Sequence, residues 1–291
     1  MKRVLLIGAS GGVGQAVAKR LLDSGYEVWG SAHDALDLER TQREVPSLRH
    51  GFVADFSNAN TGRAQLAVAL SQSSAPLVAV IGCAGISSLG PLETAPLDDL
   101  RRMMEVNALG NLAAYQVAIP YLRETTGRFI FLSSFLGKVG SPLMGLYVAS
   151  KHALEGLADV MRLEAGQWGI PVSLIEPGGI KTPMLSAFND SLAVRLQNMG
   201  EEERRNYGPY FEQFKQFSAN SEDELLTPDD AANTILQVLE AVHPKPRYVL
   251  GNAVDLLEQR RVSSDEDMDA LWRSLMPGNG NHASNGKKDI V

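Results

Sequence analysis

A doubly wound parallel α/β sheet with helices on both faces is the fold this sequence predicts, and three observations carry it. Short runs rich in Val, Ile and Leu recur along the chain. Amphipathic segments of helical period alternate with them, and the first run empties into a glycine-rich turn. Strands buried on both faces read as continuous apolar runs, because helices cover the sheet from either side.

The elements follow in order. Residues 4–7 (Val-Leu-Leu-Ile) form the first strand, and 12–24 carry a helical apolar pattern. Asp23-Ser24-Gly25 closes that helix, with Gly25 at the C′ position that favours left-handed φ. Further strands are read at 27–30, 77–82, 128–132, 171–176 and 247–250, and another is taken to precede Asp55-Phe56. Long helices are read at 96–123 and 148–168. Thr227-Pro228-Asp229-Asp230 supplies an N-cap, a proline at N1 and first-turn acids for a late helix. The segment 184–226 is too long for an ordinary loop, and in it Gly208-Pro209 is read as opening a short helix that aligns Tyr210, Phe214 and Phe217. One domain is expected over 1–276, with an insertion at 184–226, a helical extension at 253–276 and a disordered tail at 277–291.

Composition removes several classes of function. With 44% hydrophobic and 21% charged residues, the chain is neither collagenous, wholly disordered nor a coiled coil. A net charge of −7 provides no basic field, so a nucleic-acid partner is not expected. The single cysteine, Cys83, permits no internal disulfide and fits a reducing compartment; it reads as a small buried residue rather than a nucleophile. The apolar run after Met1-Lys2-Arg3 stops after four residues, too short for a secretory signal. No stretch approaches the roughly 18 apolar residues of a membrane span. A cytoplasmic enzyme without a membrane span or a metal site is expected.

Gly8-Ala9-Ser10-Gly11-Gly12-Val13-Gly14 lies between the first strand and the first helix. Glycines let backbone approach a ligand closely, and a helix N-terminus offers free N–H groups to an anion. A pyrophosphate is the natural guest. Further on, Tyr147-Val148-Ala149-Ser150-Lys151 places two side chains on one helical face. An ordinary phenol has a pKa of about 10, and a neighbouring ammonium is expected to lower it into the range of a proton exchanger. Ser134 follows a strand C-terminus thirteen residues earlier, where its hydroxyl can hold an oxygen that gains charge. Strand alternation points the adjacent Ser133 elsewhere. Asn107 sits inside a helix, where such a side chain disturbs the backbone ladder.

With these motifs together, over about residues 3–250, the sequence resembles the short-chain dehydrogenase/reductase family. Gly8, Gly12 and Gly14 have its GxxxGxG spacing, and Asn107, Ser134, Tyr147 and Lys151 match its catalytic set. The resemblance implies a Rossmann-like fold with a small helical substrate lobe at 184–226. It makes Tyr147 the general acid/base, Lys151 the group that lowers the phenol pKa and holds the nicotinamide ribose, Ser134 the substrate-orienting hydroxyl and Asn107 the anchor of a proton-relay water. It assigns to the cofactor Gly8, Ser10, Gly12, Val13, Gly14, Ser31, His33, Asp55, Phe56, Ala84 and Gly85, together with Asn107, Tyr147 and Lys151. Pro177, Gly178, Ile180 and Thr182 match the loop that binds the carboxamide. Gly82-Cys83-Ala84-Gly85 departs from the family's Asn-Asn-Ala-Gly, with Gly82 in place of an Asn that stabilises the sheet. Ile7 likewise stands where the family usually has Thr.

NAD-preferring relatives place an acid near Ala32, which alanine does not replace. NADP-preferring relatives often carry Arg at His33, and histidine supplies at most part of that charge. Asp34 would repel a 2′-phosphate. The balance favours NADP, with NAD as the alternative, and His33 as an ordinary exposed histidine remains open. The aromatic residues of 184–226 suggest an apolar lid, with Met184, Phe188, Phe211 and Phe214 lining a substrate pocket alongside Leu143, Met144 and Ser134. Packing of that stripe on the body or on a second subunit is the other reading. The pattern is nearest to retinol and hydroxysteroid dehydrogenase-like members, which implies a small lipophilic alcohol or ketone and a homodimer or homotetramer. A non-catalytic dinucleotide-binding regulator is a rival reading. So is a sugar-nucleotide epimerase or dehydratase, although those usually show GxxGxxG and a longer C-terminal domain.

Overall fold

The computed structural model describes residues 1–220 and 222–274. The tail read at 277–291 and the last residues of the 253–276 extension lie outside the described residues. The seven strands β1 (Arg3–Ile7), β2 (Glu27–Ala32), β3 (His50–Val53), β4 (Leu77–Gly82), β5 (Arg128–Leu132), β6 (Val172–Pro177) and β7 (Arg247–Leu250) form one parallel sheet in the order β3-β2-β1-β4-β5-β6-β7. The order reverses between β1 and β4. The crevice at the carboxyl ends of those strands is where such sheets place ligands.

Alternation along the strands divides the core into two layers. Val4 and Leu6 of β1 face α1 (Gly12–Asp23) and the late helix α9 (Pro228–Glu240). Leu5 and Ile7 face α3 (Ala59–Ser71), α5 (Gly110–Thr125) and α6 (Gly145–Gly166). The edge strand β3, His-Gly-Phe-Val, lacks a Val/Ile/Leu run and is only half buried, so little in its sequence marks it. β6 lies one residue later than 171–176, ending on Pro177. Ser24 caps α1 and Gly25 follows at φ +82°. Thr227 and Asp230 form a reciprocal capping box on α9.

The segment read as one helix over 96–123 contains a widened turn. Between α4 (Leu97–Met104) and α5, residues Glu105–Leu109 form a single π-helical turn centred on Asn107. The insertion is a pair of helices, α7 (Pro183–Asn198) and α8 (Glu201–Asn220). Pro209 does not open a helix. α8 begins at Glu201 with three acids in its first turn and runs through Pro209. Phe217's side chain lies outside the described residues. The short α2 (Ala35–Glu44) follows β2, and α10 (Ala253–Val262) with α11 (Asp265–Ser274) close the described chain. Among the described residues no helix is long and apolar enough to cross a membrane.

Candidate active site

The glycine turn is built from positions that refuse a side chain. Gly8 has φ +78°, and a Cβ there would sit 2.6 Å from the Ala84 backbone nitrogen. A Cβ on Gly14 would fall 2.0 Å from the Gly8 carbonyl oxygen. The Gly8 N–H donates to Ser31 Oγ (3.1 Å), which fastens the turn to β2. α1 has Gly11 at its N-cap, with no side-chain acceptor and no acid in its first turn. The free N–H groups and the dipole of α1 therefore suit a phosphate, and the glycine cradle fits the pyrophosphate of a dinucleotide. Val13 lies in this turn, but its side chain packs in the core.

Past β2, His33 Nδ1 lies 3.1 Å from Asp55 Oδ1. Burial pushes the Asp55 carboxyl up, but hydrogen bonds from Ser57 and the adjacent His33 outweigh it and leave the pKa lowered. Gln65 Oε1 accepts the Asp55 N–H (2.7 Å) and holds this corner. Asp34 accepts the Asp37 N–H (2.8 Å) as the N-cap of α2, so its carboxylate is committed to its own helix. Phe56 is core, packed against the Cα atoms of Gly62 and Gly110, and its ring is not part of a binding surface.

The four catalytic candidates converge at the carboxyl ends of β4 and β5. Ser134 ends β5's extension, and its Oγ accepts the Leu136 N–H (3.2 Å). Tyr147 stands in the first turn of α6 and Lys151 one turn later, with Nζ 5.7 Å from the centre of the Tyr147 ring. That ammonium donates to the Leu132 carbonyl (2.9 Å). The π turn presents Asn107 across to the loop after β4. Its Oδ1 accepts the Ile86 N–H (2.8 Å), and its Nδ2 donates to the Ile86 carbonyl and to Ser150 Oγ (both 2.9 Å). Ser150 in turn donates to the Tyr147 carbonyl (2.7 Å). A Cβ on Gly85 would sit 3.5 Å from Asn107 Oδ1 and 3.8 Å from Lys151 Nζ, so Ala84-Gly85 borders this group.

One electrostatic expectation is corrected. The Tyr147 phenol is not lowered by Lys151: burial pushes it up to about 12, and only hydrogen bonding with Ser134 works the other way. The cation lies 5.7 Å from the ring centre and is held by the Leu132 carbonyl. Burial brings Lys151 itself down to about 8, against the pull of Glu155 and Cys83. The Cys83 thiol is pushed up to about 12 by burial, which leaves no thiolate to act as a nucleophile.

The loop from Pro177 faces the glycine turn. The Gly178 N–H donates to the Leu250 carbonyl (3.0 Å), and Ile180 is bridged to Leu226 by Lys181 N–H→Leu226 O and Leu226 N–H→Gly179 O (both 2.9 Å). Thr182 caps α7, and its Cγ2 and the Pro183 ring close on Gly12, where a Cβ would meet them at 3.1 and 3.0 Å.

The substrate-side expectations divide. Phe211 is completely buried with Leu192, Leu196, Met199 and Leu143, the centre of the lobe's own core rather than a pocket wall. Leu143 belongs to that core as well, at φ +64°, and Met144 is buried. Phe188 and Phe214 pack as a tilted pair at 5.6 Å, and Met184 is exposed.

Sequence reasoning missed Asn111. It is buried in α5, donates through Nδ2 to the Asn107 carbonyl (2.9 Å), and places Oδ1 2.2 Å from where a Gly82 Cβ would be. It fills the space that Gly82 leaves. A polar residue four positions after Asn107, in an otherwise apolar stretch, was the available signal.

A family model described as short chain dehydrogenase matches residues 2–193. The chain is 27% identical over 257 residues to an NADPH-dependent 3-dehydrocapnine reductase of Ornithobacterium rhinotracheale, covering 86% of this chain and 88% of that one. It is 27% identical over 261 residues to human retinol dehydrogenase 5, covering 87% and 82%. A solved short-chain dehydrogenase from Streptomyces avermitilis superposes with TM-score 0.72 at 24% identity, over 94% of each chain.

Proposed function

The chain belongs to the short-chain dehydrogenase/reductase family, and from that premise we propose that it is an NAD(P)-dependent oxidoreductase interconverting a secondary ketone and its alcohol. The observation that carries this reading is the convergence of Asn107, Ser134, Tyr147 and Lys151 beside the loop that borders the glycine turn. A bound nicotinamide supplies or accepts the hydride. Gly8, Gly12, Gly14 and the α1 N-terminus would hold its pyrophosphate, and Lys151 its ribose. Ser134 offers a hydroxyl to the substrate oxygen. Tyr147, with its phenol at about 12, keeps its proton at neutral pH. It is therefore placed to donate when a carbonyl oxygen gains negative charge, and in the reverse direction to take that proton back.

NADP is the cofactor this reading favours. Ala32 offers no acid to a ribose 2′-OH, Asp34 is turned to its own helix, and His33 is the group available to a 2′-phosphate. The NADPH-dependent relative is consistent with this. A small lipophilic substrate is supported by Met184 and Phe188 at the edge of the apolar lobe and by the likeness to a retinol dehydrogenase. The proposal includes a cytoplasmic location and a homodimer or homotetramer, for which exposed Val160 and Leu163 on α6 offer an apolar face; light scattering reads the mass.

Fluorescence titration with NADPH and NADH, followed by a panel of lipophilic ketones, tests the reading. Tyr147→Phe is expected to lower turnover by at least about 100-fold while NADPH still binds. Retained turnover would remove Tyr147 from its role, and NADPH binding without turnover on any ketone would favour a regulator.

A further inference from the structure

Behind the catalytic group lies a buried cluster of charges. Glu155, one turn beyond Lys151 on α6, is 2% exposed, and Glu176 near the end of β6 is 1% exposed. Glu155 Oε2 accepts from Lys138 Nζ (3.0 Å) and from Arg247 Nη2 (3.0 Å) and Nε (3.1 Å). Arg247 also meets Glu176 Oε1 (3.0 Å) and Asp159 (2.9 Å), which holds Arg162 (3.1 Å). The titratable and charged groups of this cluster come from several elements. α6 brings Tyr147, Glu155, Asp159 and Arg162, the turn after Ser134 brings Lys138, β6 brings Glu176, β7 brings Arg247, and the end of β4 brings Cys83.

The placement of Glu155 is specific to the catalytic elements. Lys138 directly follows the turn Phe135–Gly137 that Ser134 caps. A Cβ on Gly137 would come within 2.9 Å of Glu155 Cγ and 3.3 Å of the Lys151 carbonyl, so the turn lies directly on this stretch of α6. A buried carboxylate costs several kcal/mol unless it is paired, and this one is paired to the turn that carries Ser134 and to the strand beside β6.

On the reading of the reaction given above, we infer that Glu155 is a positioning residue, which supplies the counter-charge for the buried Lys151 ammonium and ties the Ser134 turn to α6. Lys138 and Arg247 compete with Lys151 for that charge. The balance among the three cations decides how long Lys151 stays protonated as the pH rises.

The full-length protein tests this through NADPH affinity, followed by fluorescence across neutral to alkaline pH, with thermal melting as a check of folding. NADPH binding by the unaltered chain is expected to weaken on an alkaline limb as Lys151 loses its proton. Glu155→Gln removes the counter-charge, so the limb is expected to begin about one pH unit lower while affinity at the acid end changes little. Lys138→Met removes a competitor from a partly exposed position, so the limb is expected to move the opposite way. A uniform loss at every pH, or an unmoved limb in both variants, would overturn the inference. Should Glu155→Gln fail to fold, an unmoved limb in Lys138→Met overturns it alone. Tyr147→Phe with full turnover would overturn the reaction and leave the limb in place, whereas an unaltered chain that binds no NADPH would overturn both.

Discussion

Glu176 carries a pH signature that a single substitution can test. Burial first, then the nearby Glu155, raise its carboxyl to about 7, against Arg247 and Lys138. The folded chain therefore holds a proton that the unfolded chain releases at ordinary carboxylate pH. The stability this contributes is complete below about pH 4.5 and is lost as pH rises through about 7. Glu176→Gln cannot undergo that loss. The stability difference, variant minus unaltered chain, is expected to climb by on the order of 1–3 kcal/mol over that window and then level off. Urea melts at a series of pH values measure it, and a flat difference would refute the assignment. Gly82 offers a second test. Asparagine there, as the family commonly has, would drive into Asn111 Oδ1 and Phe131. Gly82→Asn is expected to destabilise by about 1–3 kcal/mol, and adding Asn111→Ala is expected to restore part of the loss. Neither effect was legible in the sequence. The spacing of Tyr147 and Lys151 is local to one helix and can be read from the chain. The meetings of Gly82 with Asn111, Asn107 with Ser150, and Glu155 with Arg247 join separate elements and exist only after packing.

Among the elements, the readable ones were those whose cause is short-range. Apolar runs marked β1, β4 and β5, and Thr227 with Asp230 marked the start of α9, because strand burial and capping act within a few residues. The edge strand β3 was read only as a strand without bounds before Asp55, because its half-buried residues carry no apolar run, and α8 was misjudged because Pro209 looks like a helix start. α5 ends on another local feature. Thr126 is its C-cap at φ 50°, ψ 44°, a left-handed conformation on an exposed, β-branched residue. Such a residue pays about 1–2 kcal/mol that glycine does not. Thr126→Gly is therefore expected to stabilise the chain by roughly 1 kcal/mol, less what glycine adds to the entropy of the unfolded state. A chemical-denaturation midpoint measures it. A lower midpoint would mean that the Thr126 contacts outweigh the strain.

At the scale of the molecule, the two edges of the sheet divide the labour. The β3 edge carries His33 and Asp55, beside the glycine turn, while the β7 edge supports the catalytic end. There α10 and α11 fold back, so that Leu257 and Met268 pack with Val139, Phe135 and Val249. Phe135 and Val139 flank the turn that holds Ser134 and Lys138. The C-terminal helices, legible only as a helical extension, therefore brace the Ser134 turn from behind. Leu257→Ala is expected to cost about 2–4 kcal/mol, as for other buried leucines. The functional expectation is sharper, because the two ends of the cleft should respond differently. Ending the chain after Asn252 keeps the contact of that residue with Gly178 but removes the support under Phe135 and Val139. Ketone turnover is then expected to fall several-fold or more, while NADPH affinity falls less, because the glycine turn and His33 lie towards the opposite edge. Fluorescence titration and turnover on the same preparation separate the two. A parallel loss of both would mean that the sheet unfolds as one unit rather than loosening at the β7 edge, and unchanged turnover would mean that the Ser134 turn stands without its brace.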